Sequence, residues 1–256
     1  MASVAQISLT PVKGFKLLHP DEVMLTTEGV IENRRFYLAQ ADGTRLRSSL
    51  TAWPCLVRGD YDAGGERLRV RFPDGVAVEG SAVELGRTMV SRFSDGRRLE
   101  AQVVEGPWTE PLSELAGKPV VIARPPRPGM CFEAPVTLVS NASLDRLAEE
   151  AGDAVDGRRF RMLFTLAGCA AHEEDDWNGR LVRFGDAVVR VGGGVPRCAV
   201  TTRDPNTGKR DLETLHLIKR YRGLRDREHI DFGVYGQVVE PGRVRVGDPV
   251  EPLATH

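Results

Sequence analysis

Short stretches in which apolar and polar residues alternate run through the first hundred residues of the chain. Residues 68–72 alternate strictly, and residues 99–104 repeat the pattern. Alternation with period two places one face of a strand in a core and the other in solvent. The turn-forming runs Asp42-Gly43 and Pro73-Asp74-Gly75 separate such stretches. The pattern predicts short antiparallel strands at regular spacing, typical of a sheet or barrel.

Helical spacing is confined to three short segments. Residues 110–116 end at Gly117, a helix capped by Ser140 or Asn141 ends at Gly152, and residues 212–221 form the third. Further strands are predicted at residues 120–123, 136–139, 160–166, 181–184, 187–191, 232–239 and 244–246. The predicted fold class is therefore mainly β (α+β), with a few short helices.

The proline-rich stretch of residues 124–129 cannot continue the strand before it and indicates a linker. A chain of 256 residues is long enough for two modest domains. We therefore place a domain boundary here, between residues 1–124 and residues 125–256.

Composition and charge exclude several classes of function. The chain is 41% hydrophobic and 28% charged with a formal net charge of -1, which is typical of a globular protein without nucleic-acid affinity. Neither a membrane span nor a secretory signal is predicted. The four cysteines are widely spaced, which argues against a disulfide framework or a structural zinc site. We expect a cytoplasmic protein with reduced thiols, no membrane and no nucleic-acid partner.

Residues 196–208 are the most informative segment, because they place Cys198 beside Arg197 just after a predicted strand. A thiolate next to a fixed cation forms more readily and can act as a nucleophile or as a ligand for a soft metal. The run Gly192-Gly193-Gly194 before it is predicted to be flexible. The structural alternative is a buried cysteine followed by an Asp-Pro turn.

Other chemistry is less well supported by the sequence. A cysteine hydrolase would need a histidine base near Cys198, but His172 is expected to be solvated in an acidic run and His216 to lie on a helix surface. The acidic run of residues 173–176 could hold a hard cation, although a solvated helix start is the simpler interpretation.

Cations near strand ends in both halves form a second set of candidates. Lys13 and Arg34 lie in the first half, and Arg159 and Arg161 in the second. Each alone is an ordinary surface charge, but together they could converge on an anion, which the planar fork of arginine binds in two places. The helix start at Ser140-Asn141 offers backbone N–H groups to the same anion.

Several of these segments together resemble the MOSC superfamily, in particular the two-part proteins with an N-terminal MOSC-associated β-barrel. Amidoxime-reducing components and bacterial reductases of N-hydroxylated compounds are of this kind. The motifs that carry the resemblance are Pro11-Val12-Lys13, Asn33-Arg34-Arg35-Phe36, Phe160-Arg161, Trp177-Asn178-Gly179, residues 196–208, Phe232-Gly233-Val234-Tyr235 and Val246-Gly247-Asp248-Pro249-Val250.

The resemblance implies a barrel-like N-terminal domain, a C-terminal MOSC β-barrel and a molybdenum cofactor (molybdopterin) between them. Cys198 would be the catalytic residue and the metal ligand. The implied cofactor-binding residues are Lys13, Arg34, Ser140, Asn141, Arg161, Arg197 and Cys198. The implied reaction is a two-electron reduction of a small N-hydroxylated substrate, with electrons from a separate flavin or iron–sulfur protein. At superfamily level the resemblance also implies pyridoxal phosphate binding.

The chain departs from the family pattern at Gly14, Asn33, Met162, Leu163 and Pro196. Two other functions therefore stay open. Cys198 could carry sulfur as a persulfide or handle the cofactor for other proteins, or the site could be inactive in a structural β-domain.

Overall fold

A computed structural model describes residues 1–44, 46, 51–83, 85–92, 96, 98–128 and 134–254. Among these residues, those of the first half form ten strands: β1 (Ala2–Ile7), β2 (Val12–Lys13), β3 (Glu22–Leu25), β4 (Phe36–Gln40), β5 (Arg58–Asp62), β6 (Arg67–Arg71), β7 (Ala77–Ser81), β8 (Leu85–Arg92), β9 (Arg98–Val104) and β10 (Val120–Arg124). The second half carries seven: β11 (Val136–Ser140), β12 (Phe164–Ala167), β13 (Leu181–Phe184), β14 (Ala187–Pro196), β15 (Asp231–Glu240), β16 (Gly242–Arg245) and β17 (Pro249–Pro252). The α-helices are α1 (Thr109–Ala116), α2 (Asn141–Ala151) and α3 (Thr214–Arg222). The mainly β class is thereby confirmed.

One closed barrel contains β14, the strand that leads to Cys198. Its strands are ordered β1-β12-β11-β15-β14-β13-β17. Alternate residues point inward, so Val4, Leu138, Phe164 and Phe184 share a core that is sealed from water. β1 pairs with both β12 and β17, so the two ends of the chain meet in the same barrel. The domain boundary at residue 124 stays a prediction.

Two further sheets contain the other strands of the N-terminal half except β3, which pairs antiparallel with β16 of the C-terminal half in a two-stranded sheet. The five-stranded sheet is ordered β2-β4-β10-β9-β8, and the three-stranded sheet β5-β6-β7. Phe36, Leu68, Trp108 and Ile122 belong to one buried cluster that both sheets share. β2 runs parallel to β4, so Val12 lies opposite Phe36, which brings two of the sequence motifs side by side.

Three expectations about local structure are wrong. Residues 160–166 are not one strand: a 3-10 helix (Gly157–Phe160) ends at Arg161 in the left-handed region, and β12 starts only at Phe164. The glycine run lies inside β14 and is paired with β15, because side chains of β15 need the space that glycine leaves. The acidic run does begin a helix, the 3-10 helix Glu173–Trp177, but it is not fully solvated, because Glu174 is completely buried, and His172 just before the helix is half-buried.

Candidate functional site

The segment after β14 presents Cys198 to solvent on a rigid turn. The N–H of Arg197 donates to the Ile230 carbonyl (2.7 Å), and Cys198 then begins a 3-10 helix (Ala199–Thr202). Asp204 accepts from the N–H groups of the two residues after Pro205, which closes the Asp-Pro turn. The thiol of Cys198 is exposed, so it is available to a ligand.

Arg197 is anchored inward, under Cys198. Its Nε donates to the Phe232 carbonyl (2.8 Å) and its Nη1 to the Phe160 carbonyl (3.0 Å), while Nη2 contacts the Phe232 carbonyl and Met162 Sδ (2.8 Å). Burial lowers the pKa of Arg197 to about 9, against the opposing effect of Cys198. The guanidinium therefore fixes the turn and places a positive charge beside the thiol.

Two of the predicted cations, Arg34 and Arg161, connect the two halves of the chain by hydrogen bonds to backbone carbonyl groups. Arg34 Nη2 donates to the Arg161 carbonyl (2.5 Å), and Arg161 Nη2 donates to the Phe15 carbonyl (2.6 Å). Lys13 lies two residues before Phe15, at the end of β2. These bonds span 127 and 146 residues of sequence, so they join the two halves of the chain.

A cleft with about 380 Å³ of empty space, including its open mouth, lies at this junction. Its arginines are Arg158, Arg159, Arg161 and Arg203. Asp156 and Asp211 pair with the first two, whereas Arg161 is held by a neutral carbonyl, and burial lowers the pKa of Arg161 to about 10. Within the described residues, Arg159 Nε is buried without a hydrogen-bond partner. The cleft is therefore suited to an anion.

Of the described residues that line the cleft, Arg161 is the one predicted cofactor-binding residue, and Arg159 is a further candidate cation. The sequence predicts Arg158 only as solvated or ion-paired and does not single out Cys55 or Arg203. Arg203 lies in residues 196–208, the same signature that contains Cys198, and this position is the feature of the sequence that could have indicated a role for Arg203. Burial raises the pKa of Cys55, although Arg161 opposes this, so Cys55 is a poorer thiolate than an ordinary cysteine.

Cys198 lies close to this cleft. Val200, which lines the cleft, follows it by two residues, about 4 Å of 3-10 helix rise. The structure thus brings Arg34, Arg161 and Arg197 to one junction, and Lys13 and Cys198 lie within two residues along the chain of residues at that junction.

Ser140 and Asn141 lie elsewhere. Neither residue lines the cleft; Ser140 lies opposite Leu166, two residues or about 7 Å along the strand from the start of β12. Ser140 is completely buried and caps α2 by accepting from the Ser143 N–H (3.1 Å), as predicted. Asn141 is exposed.

The chain's own Glu174 already occupies the start of α2. Its Oε1 accepts from the Ser140 N–H (3.2 Å) and from Ser143 Oγ (2.7 Å). Burial raises the pKa of Glu174, and its Oε2 has no partner among the described residues. An anionic group from outside would have to displace this carboxyl group.

A family model for the MOSC domain matches residues 102–251, which is more than half of the chain. The protein therefore belongs to the MOSC domain family. The mouse mitochondrial amidoxime-reducing component 1 (Mus musculus) is 36% identical over 124 residues, 46% of this chain and 36% of the relative. The rat component 2 (Rattus norvegicus) is 38% identical over 125 residues, with the same coverage. The matched region thus spans about a third of these relatives.

Among solved structures, the YuaD protein of Bacillus subtilis aligns with 100% of this chain and 98% of its own, with a TM-score of 0.45 and 12% identity. In the described part of the chain, no helix is both long and apolar enough to cross a membrane. The same residues contain no cluster of three or more histidine, cysteine or acidic side chains that could hold a metal ion.

Proposed function

We propose that this protein binds a molybdenum cofactor and reduces N-hydroxylated or related small substrates, with Cys198 as the ligand of the metal. The observation that carries the proposal is an exposed thiol next to an arginine-lined cleft where the two halves of the chain meet. A thiolate is a suitable ligand for a soft metal, and guanidinium groups suit the phosphate of a pterin cofactor.

The residues at the cleft fit such a group. Arg161, which a neutral carbonyl holds, offers positive charge to an anion, and the unpartnered Nε of Arg159 offers a hydrogen-bond donor although Asp211 pairs with that guanidinium. Arg34 bonds to the Arg161 carbonyl, and Lys13 precedes Gly14, which lines the cleft. When bound, the molybdenum centre would supply the two-electron chemistry, and the protein would orient it. Overall, two electrons and two protons cleave the N–O bond and release its oxygen as water. The electrons would come from a separate flavin or iron–sulfur protein.

Three of the family departures have structural explanations. Gly14 has φ of 102°, which favours glycine over serine there. Asn33 Oδ1 accepts from the Thr10 N–H (3.2 Å). Leu163 is completely buried in the barrel core. The roles of Ser140 and Asn141, pyridoxal phosphate binding and the cytoplasmic location stay predictions.

The test is a molybdenum and pterin assay on protein from a host that makes the cofactor. Wild type is expected to hold close to one equivalent of molybdenum and Cys198→Ser far less. Cys169→Ser, a half-buried thiol near the barrel core, is the matched control and should retain the metal. Molybdenum well below one equivalent in wild type, or equal content in Cys198→Ser, would contradict the proposal.

The exposure of Cys198 beside Arg197 also favours a second function, sulfur carriage as a persulfide. Mass spectrometry distinguishes the two. One extra sulfur atom on Cys198 in protein without molybdenum would support the carrier function.

A further inference from the structure

The ion pair between Arg159 and Asp211 forms part of the wall of the arginine-lined cleft. Arg159 lines the cleft, and its side chain is only 7% exposed, whereas that of Asp211 is 42% exposed. Nη1 of the arginine donates to Oδ1 and Nη2 to Oδ2, each at 2.7 Å. A guanidinium that is held at both terminal nitrogens keeps one orientation, so the direction of its remaining N–H bond is fixed.

The remaining donor of Arg159 is Nε. Among the described residues it is buried and has no hydrogen-bond partner. A buried donor without an acceptor is unfavourable, and an acceptor atom supplied by a ligand in the cleft would remove that penalty. The neighbouring Arg158 differs in this respect, because both its Nε and its Nη2 donate to Asp156.

The same pair connects two segments that border the cleft. Arg159 lies in the 3-10 helix Gly157–Phe160. Asp211 is attached to the segment that carries the thiol, because its N–H donates to the carbonyl of Thr202 (3.1 Å), in the 3-10 helix that follows Cys198. Loss of the carboxylate would therefore release Arg159 from that segment.

Arg159 and Arg161 make different contributions to the cleft. Asp211 offsets the charge of Arg159, so this side chain supplies a directed donor and little net charge. Arg161 donates to a neutral group, the Phe15 carbonyl, and that contact leaves its positive charge available to attract an anion.

We propose that Asp211 is a positioning residue that directs the Nε–H of Arg159 towards a phosphate oxygen in the cleft, while Arg161 supplies the attraction. Guanidinium groups and phosphate oxygens form strong, directional hydrogen bonds, which suits this division. That the phosphate belongs to the pterin cofactor rests on the proposed function. The alignment of Arg159 by Asp211 rests on the cleft alone.

The test compares two variants that add the same charge to the cleft. Asp211→Asn frees Arg159 from its counter-charge, and the matched control Asp156→Asn does the same for Arg158. Both should bind inorganic phosphate about threefold to tenfold more tightly than wild type, in isothermal titration calorimetry of cofactor-free protein at low salt. Only Asp211→Asn removes the alignment of the Nε donor.

Heteronuclear NMR of the arginine side chains observes that donor directly. In wild type, the Nε–H signal of Arg159, identified by its absence from Arg159→Lys, should shift as phosphate is added. The shift should persist in Asp156→Asn and disappear in Asp211→Asn. A merely structural role of Asp211 would weaken phosphate binding, whereas a positioning role strengthens it and removes the shift.

The pterin and molybdenum content of protein from a host that makes the cofactor is a second readout. Asp211→Asn should hold at least about threefold less of both than wild type, and Asp156→Asn should hold as much as wild type. Arg159→Lys keeps a positive charge next to Asp211 but has no Nε–H, so it should show the same loss even where Asp211→Asn folds poorly.

Absence of phosphate binding to wild type, an unshifted Arg159 signal in wild type, an unchanged shift in Asp211→Asn, or full pterin content in Arg159→Lys would overturn the proposal. The phosphate titration needs no cofactor. A wild-type protein that binds phosphate with the expected shift but holds no molybdenum would therefore contradict the proposed function alone.

Discussion

Replacing Arg197 by lysine tests whether this arginine acts through its shape or only through its charge. Lysine keeps a positive charge beside Cys198 but cannot reproduce the planar fork. The arginine reaches two carbonyls, those of Phe160 and Phe232, from different nitrogens. A single ammonium group in the same space would leave at least one of them without its donor.

The expected loss follows from those contacts. A hydrogen bond to a charged donor contributes about 1.5–3 kcal/mol, and an acceptor left buried without a partner costs about 1–3 kcal/mol. Burial of the positive charge is common to both side chains and largely cancels. Arg197→Lys should therefore lower the free energy of unfolding by about 2–3 kcal/mol, which corresponds to a Tm lower by roughly 5–10 °C for a chain of this size.

Urea denaturation of cofactor-free protein, followed by far-UV circular dichroism, measures this loss. The matched control is Arg220→Lys. Arg220 is 53% exposed and pairs with Glu150 at the surface, so its replacement should change stability by less than about 0.5 kcal/mol. An equally small change in Arg197→Lys would refute the reasoning, because charge alone would then account for the role of Arg197.

Three further predictions concern buried groups and backbone strain. Burial lowers the pKa of His172 from 6.5 to about 4, so the unfolded chain takes up the proton first as pH falls, and the free energy of unfolding should drop between pH 6.5 and pH 4. His172→Asn, which tolerates the left-handed φ of 62° at this position, should remove that drop in acid urea titrations. Burial raises the pKa of Glu174, so as pH rises above 4.5 its carboxyl group ionises first in the unfolded chain, which lowers the free energy of unfolding. Glu174→Gln should abolish this loss of stability, and an unchanged pH profile would contradict the prediction. Gly14→Ser should cost about 1–2 kcal/mol in the same assay because φ is 102° at this position, and a neutral result would argue against that backbone conformation.

Local signals in the sequence were sufficient for several of the strands, for the caps of α2 and for the signature turn. Alternation predicted β6 and β9 because one face of each strand packs on a core. Ser140 and Gly152 marked the ends of α2 because capping depends on neighbouring backbone groups. The exposed position of Cys198 agrees with the interpretation of the same segment as a ligand-binding turn.

Other features of the fold depend on residues that are distant in sequence. β1 joins the C-terminal barrel through pairing with β12 and β17, which no property of residues 2–7 alone specifies. The glycine run is a paired strand because Tyr235 and Asp231 occupy the space above it. Glu174 is buried because the start of α2 supplies its hydrogen bonds.

The sequence by itself determined a mainly β chain with a cysteine–arginine signature, since periodicity, turns and capping depend on residues a few positions apart. Only the tertiary structure decided which cations surround the cleft and which carboxylate is buried at the start of α2. Arg34 and Arg161 find their acceptors 127 and 146 residues away. Contacts at such separations depend on how whole sheets pack against each other. The burial and the charge environment of each side chain are therefore set by elements distant in sequence, and its sequence neighbours do not specify them.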